Sequence, residues 1–228
     1  QLAAKGLNTV DPTADAKAAV IDADIVVLAV KPQVMKAVVG SFADALDKQL
    51  VISVAAGLST ELLSNMLGGY KNIVRAMPNT PAMIQMGATG LYGTDNISAE
   101  QKQLATAVME ASGLVMWVDN EEHMHAVTAV SGSAPAYMFY FIESMVDGAV
   151  ALGLDKEQAS VLAMQTMLGA AKMAMNSDDA PAELRRKVTS PNGTTQAAVE
   201  SMQANDIAGQ IIEAMQACYD RSQALSEE

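Results

Sequence analysis

The stretch DIVVLAVKPQ, residues 24–33, decides the fold. Its apolar run from Ile25 to Val30 is what a strand covered on both faces looks like, and it ends at Lys31 and Pro32. Working outward, LVISVA (50–55) is a second near-continuous run, and NIVRAM (72–77), GATGLYG (87–93) and LVMWV (114–118) also read as strands. Between them, residues 33–47, 59–67 and 98–112 have helical spacing, and Ser98 with Gln101 makes a capping box for the last. Alternation of this kind predicts βαβ units and a parallel, doubly wound α/β sheet.

After residue 120 the strand signal disappears, and helices are expected at about 134–152, 156–176, 181–187, 195–204 and 207–225. Asp155 with Gln158 repeats the capping pattern, and Pro181 suits a first helical position. The chain therefore divides into an α/β part, 1–120, and an all-helical part, 121–228. Several of these helices are apolar nearly all round, more than about 100 residues can bury alone, so an obligate homodimer with interleaved helices is expected. The first residues, QLAAKGLNTV, read as the tail of a helix stopping at Gly6, which predicts an N-terminal segment ahead of this sequence.

Of the 228 residues 50% are hydrophobic and 18% charged, enough for a sizeable core, and the net charge is −12. That charge argues against nucleic-acid binding and against attraction to anionic membranes, so a phosphate-bearing ligand needs local positive features. Cys218 is the one cysteine, which leaves no disulfide framework or zinc cluster and suits a reducing cytoplasm. No signal-peptide pattern opens the sequence as given. The most apolar window, 134–153, carries Glu143 and Asp147 and reads as a buried helix rather than a membrane span.

Ligands of open α/β sheets collect beyond the carboxyl ends of parallel strands. Three such exits are small or polar here: AVKPQ with Lys31, AAG ending in Ala56 and Gly57, and MPNTP with Asn79 and Thr80. Each exit alone is as well read as an ordinary tight turn; three in succession favour a ligand-bearing rim. The fingerprint G-x-G-x-x-G is absent from the sequence. His123 and His125 in NEEHMHAV point to different faces of a helix and lack a third ligand, so no metal is expected. In KVTSPNGTT (187–195), Pro191-Asn192-Gly193 is a strong turn signal, with Thr194 and Thr195 placed to cap the helix that follows. Such a turn is a ready anion site at a helix start, and on chemistry alone it is more often a plain corner. VSGSAPAYMFY (130–140) is a second candidate of the same sort.

The order AVKPQ, AAG, MPNTPA, AVSGSAPAY, VTSPNGTT resembles pyrroline-5-carboxylate reductase, over essentially the whole chain. The resemblance implies a Rossmann domain, here a partial one that lacks its first strand, glycine fingerprint and second strand, followed by an all-α dimerisation and substrate-binding domain. It implies NADPH as cofactor, with NADH as the alternative, an active site shared between subunits, and higher oligomers built from dimers. Ala29, Val30, Lys31, Ala56 and Gly57 would line the cofactor cleft, and Asn79, Thr80, Pro81 and Ser133 would face the nicotinamide end. Ser190, Asn192, Gly193, Thr194 and Thr195 would form the substrate loop, with Asp178 helping to order it and Thr195 as the catalytic hydroxyl near the ring nitrogen. Ala134 and Asn192 stand where the family usually has glycine; asparagine tolerates left-handed backbone better than other non-glycine residues. The expected activity is reduction of 1-pyrroline-5-carboxylate to L-proline. A non-catalytic oligomerising fragment of such a reductase, and a related reductase of another small imine or oxo acid, stay open beside it.

Overall fold

A computed structural model of the chain describes residues 16–227; the expected helix end at Gly6 lies outside them. By contact, these residues form two units: those up to Ser133 together with those from Ala217 on, and those from Ala134 to Gln216.

The first unit is built on a five-stranded sheet in the order β1 (Ile25–Leu28), β2 (Leu50–Ser53), β3 (Ile73–Met77), β4 (Gly87–Gly93), β5 (Gly113–Trp117). Helices α1 (Ala16–Ile21), α2 (Pro32–Gly40), α3 (Thr60–Met66) and α4 (Ala99–Glu110) accompany it. β1, β2 and β3 are parallel, in the register Leu28–Ser53 and Ser53–Arg75. β4 departs from the all-parallel expectation: it runs antiparallel to β3, with Ala76 opposite Leu91. The cause is the connection, residues 78–86, which holds only a 3-10 turn, Thr80–Ile84. A parallel return needs a crossover of about a dozen residues or more, and MPNTPAMIQM is too short and too proline-rich to supply one. α4 is such a crossover, and β5 accordingly pairs parallel with β4.

β2 and β3 are covered on both faces, which is why β2 reads as an unbroken apolar run, whereas β1, expected to be covered likewise, leaves Val27 47% exposed. Val51 and Ile73 pack with Met35, Val39, Leu63 and Leu67 on one side. Their strand neighbours Ile52 and Val74 pack with Leu91, Ala105 and Met109 on the other. Alternation is present in direction but invisible in composition. Ser98 does cap α4 in a reciprocal box with Gln101. The helix expected over 33–47 stops at Gly40, and its remainder forms a 3-10 turn at Ala43–Ala45.

α5 (His123–Val127) runs into a π-helical turn, Thr128–Gly132; Ser133 follows as a bend, and the next helix begins at Ala134, where the sequence pattern places it. α5 lies close on the sheet because β4 has glycine beneath it: a Cβ on Gly90 would stand 2.5 Å from Val127 Cγ1.

The second unit holds α6 (Ala134–Ala151), α7 (Lys156–Met175), α8 (Pro181–Lys187), α9 (Thr194–Ala204) and the first half of α10 (Ile207–Glu227). α6 and α7 pack around Val146, Ala159 and Ala163. Much apolar surface remains outside that cluster, with Phe139 65%, Tyr140 72%, Leu152 89% and Met175 79% exposed. The window 134–153, expected to be buried, is thus largely open in one chain. Among the described residues no helix is long and apolar enough to cross a membrane.

Gly90→Ala tests the seating of α5. The added methyl must displace Val127, and a stability loss of about 1–3 kcal/mol is expected. It should appear as a lower urea midpoint with unchanged slope; an unchanged midpoint would mean α5 does not rest on β4.

Candidate active site

The parallel register brings the exits of β1, β2 and β3 to one edge of the sheet, and three groups of expected cofactor residues lie there. Ala29 and Val30 follow β1, and Lys31 is the extended N-cap of α2, with Pro32 opening the helix and the lysine exposed. Ala56 and Gly57 follow β2, and Gly57 has a φ of 78°, a left-handed conformation that glycine adopts without strain. Asn79 caps the 3-10 turn that contains Thr80 and Pro81. Its side chain bridges two segments: Nδ2 donates to Ser131 O at 3.1 Å and Oδ1 accepts from Ala88 N–H at 2.9 Å. That bridge ties the π turn to the third exit. Ser133, directly after the turn, accepts a hydrogen bond from the Cys218 thiol at 3.3 Å. Ala29, Ala56 and Gly57 carry nothing beyond a Cβ, so a dinucleotide could approach this edge closely, and Lys31 offers an exposed cation beside it.

Behind the rim lies a polar network that sequence reasoning missed. Arg75, 4% exposed in the middle of β3, donates from Nη1 to Glu121 Oε1 at 3.1 Å. The same carboxylate accepts Thr60 N–H at 2.8 Å and Thr60 Oγ–H at 2.6 Å, holding the start of α3 just after the Gly57 turn. One turn on from Glu121, His125 is also 4% exposed. Its Nδ1 is hydrogen-bonded to Ser222 Oγ at 2.9 Å, and its ring meets Tyr219 edge-on at 5.8 Å. Burial, together with the charge of Arg75, holds His125 below the ordinary imidazole value of 6.5, with Glu122 and Glu121 opposing. The available signal was an arginine inside the apolar strand NIVRAM, which demands a buried counter-charge.

The expected substrate residues belong to the second unit. α9 starts at Thr194 with Gly193 as its N-cap, and no side chain caps it; the expected threonine caps are instead the first two helical residues. The first intrahelical bond is Ala197 N–H to Gly193 O, so the N–H groups of Thr194, Thr195 and Gln196 precede the ladder. Asn192 has φ 58°, its N–H held by Gln196 Oε1 at 2.7 Å, while Gly193 N–H bonds Ser190 O at 3.1 Å. Ser190, Asn192, Gly193, Thr194 and Thr195 thus form one turn with an exposed, donor-rich face. Asp178 is exposed in the α7–α8 connection, where its neighbour Asp179 pairs with Lys187 at the base of that turn.

Residues 121–225 match the family model described as pyrroline-5-carboxylate reductase dimerisation. Residues 2–57 match one described as NADP oxidoreductase, coenzyme F420-dependent. The pyrroline-5-carboxylate reductase of Pseudomonas aeruginosa is 50% identical over 211 residues, covering 92% of this chain and 77% of that protein. The chain belongs to the pyrroline-5-carboxylate reductase family. Among solved structures, a pyrroline-5-carboxylate reductase from Coxiella burnetii superposes with a TM-score of 0.91 at 42% identity, over 97% of this chain and 82% of its own. A Plasmodium falciparum pyrroline carboxylate reductase with NADP bound gives 0.84 at 30% identity, over 92% and 80%.

His125 makes stability pH-dependent. Its folded pKa is depressed, so the unfolded chain protonates more readily, and the contribution is complete above about pH 6.5 and lost as the pH falls. Between about pH 7.5 and pH 5.5 the urea midpoint of the wild type should fall further than that of His125→Asn, which cannot charge. Equal falls would remove His125 from the account. In the turn, Asn192→Gly should leave thermal stability unchanged or raised, whereas Asn192→Val should cost about 1–2 kcal/mol through its left-handed φ; equal melting temperatures would contradict that geometry.

Proposed function

We propose that this chain reduces 1-pyrroline-5-carboxylate to L-proline, the last step of proline biosynthesis, using NADPH, with NADH as the alternative donor. The observation that carries the reading is the Ser190–Thr195 turn, which opens an eleven-residue helix with three free N–H groups and no side-chain cap. A substrate carboxylate is matched to those donors and to the positive end of the helix. Membership of the reductase family, with a relative 50% identical, supports the same substrate.

In this reading the partial dinucleotide-binding domain spans residues 1–120, and the helical domain for dimerisation and substrate spans 121–228. Ala29, Val30, Lys31, Ala56 and Gly57 line the cofactor cleft, with Asn79, Thr80, Pro81 and Ser133 at its nicotinamide end. Asn79 is held in place there by its bonds to Ser131 and Ala88. The bound cofactor supplies the hydride for the imine carbon. The backbone N–H groups of Thr194, Thr195 and Gln196 fix the carboxylate, and the exposed Thr195 hydroxyl donates to the ring nitrogen. That holds the ring in one orientation and favours development of an amine at the nitrogen. A threonine hydroxyl is too weak an acid to complete the proton transfer alone, so water or a relay delivers the proton. Asp178 helps order the turn.

The exposed Phe139, Tyr140 and Leu152 support a homodimer with interleaved helices, an active site shared between subunits, and higher oligomers built from dimers. One cysteine in 228 residues is consistent with a cytoplasmic enzyme.

The test is NADPH oxidation by the purified chain with 1-pyrroline-5-carboxylate. Thr195→Ala should lower kcat/KM about 10- to 100-fold, the loss expected of one hydrogen bond to a developing charge. Unchanged efficiency would remove Thr195 from the chemistry, and no turnover by the wild type would overturn the reading.

A further inference from the structure

The end of α10 makes three contacts with the sheet unit that no part of the proposed chemistry uses. Cys218 donates its thiol proton to Ser133 Oγ at 3.3 Å. Ser222, 7% exposed, is hydrogen-bonded to His125, and Tyr219 stands against the same ring. Leu225 covers the Gly57 turn so closely that a Cβ on Gly57 would lie 3.3 Å from the Leu225 carbonyl oxygen. Residues 218, 222 and 225 are spaced four and three apart, one stripe of a helix. A single face of α10 therefore touches the turn after β2, the buried histidine of α5 and the residue that opens α6.

Two of those three contacts are residues of the cofactor rim. They come from segments 76 residues apart, Gly57 and Ser133, and neither is bonded to the other. Among the described residues their separation depends on what both rest on: the Asn79 bridge to Ser131 at the β3 exit, and the contacts of α3, α5 and α10. α3 is tied to the loop before α5 by Glu121, and α5 is tied to α10 by His125 and Ser222. We infer that the last turns of α10 are a strap, seated on His125 through Ser222, that sets the distance between the Gly57 turn and Ser133 and so the width of the cofactor cleft. Ser222 and His125 are then positioning residues for the dinucleotide. They touch neither it nor the substrate. The inference rests on the reductase reading for the identity of the ligand, though not for the docking itself.

Cys218 is the chain's one thiol, half-buried on the strap itself, and it reports seating without any reference to turnover. The experiment compares the full-length wild type with Ser222→Ala and with His125→Asn, all at one neutral pH. Three quantities are read: the rate of Cys218 labelling by an aromatic disulfide, the NADPH Kd by cofactor fluorescence, and the split between KM for NADPH and kcat. Melting temperature and oligomer size are taken alongside, and His125→Asn serves if Ser222→Ala does not fold.

Loss of the one hydrogen bond should speed labelling about two- to tenfold and raise the NADPH Kd and KM by a similar factor. kcat at saturating NADPH should stay within about twofold, because the reacting groups are untouched. NADPH should slow Cys218 labelling in the wild type by linkage. Unchanged labelling in both variants would overturn the strap. Faster labelling with unchanged NADPH affinity would overturn its coupling to the cleft. If the wild type binds no NADPH, the cofactor reading fails and the coupling falls with it, while the labelling rates still decide whether Ser222 seats the helix.

Discussion

An arginine in the middle of a buried strand cannot stand alone. Leaving a buried guanidinium unpaired costs about 3–5 kcal/mol, a large share of the roughly 5–15 kcal/mol by which a domain is stable, so Arg75 fixes where a carboxylate must be. Glu121 is that carboxylate, and it is shared: one oxygen serves Arg75 and the Thr60 N–H, the other the Thr60 hydroxyl. A single ionised group thereby sets the start of α3, the entry to α5 and their seat on β3. The Gly57 turn and the π turn lie at the two ends of this arrangement, so the edge where the parallel strands exit inherits its geometry from a charge behind it.

The parts of the fold that depend on local pattern were legible. Apolar runs, a capping box at Ser98 and the proline opening α8 are near-neighbour signals, and each element lies where those signals place it. The antiparallel β4 was readable in principle, since MPNTPAMIQM is too short for a crossover, but strand periodicity carries no direction. The helix start after serine and glycine is at Ala134 as read, but the π turn before it was not legible, because nothing in local propensity separates a π turn from an α turn.

The site divides the same way. The rim exits and the Ser190–Thr195 turn are contiguous in sequence, so their residue types could be read directly. His125 and Ser222 are 97 residues apart, and nothing around either suggests the other. The sequence placed His125 on a helix face without saying which way it points; its burial is a tertiary fact. The same limit applies to the caps of α9. Threonine is a good cap, yet Gly193 occupies that position, where an added Cβ would lie 3.1 Å from the Ser190 carbonyl oxygen.

The Asn192-Gly193 pair has a consequence for how the protein ages. Asparagine followed by glycine is prone to deamidate, because an unhindered glycine nitrogen attacks the side-chain amide carbon and closes a succinimide. Here that nitrogen is bonded to Ser190 O, and the preceding N–H is held by Gln196. The folded turn thus shields the chemically weakest peptide link between Ser190 and Thr195. Where the turn loosens, the product is an aspartate or isoaspartate, a negative charge placed beside donors arranged for an anion. Conformational wear at this corner would be converted into permanent electrostatic damage.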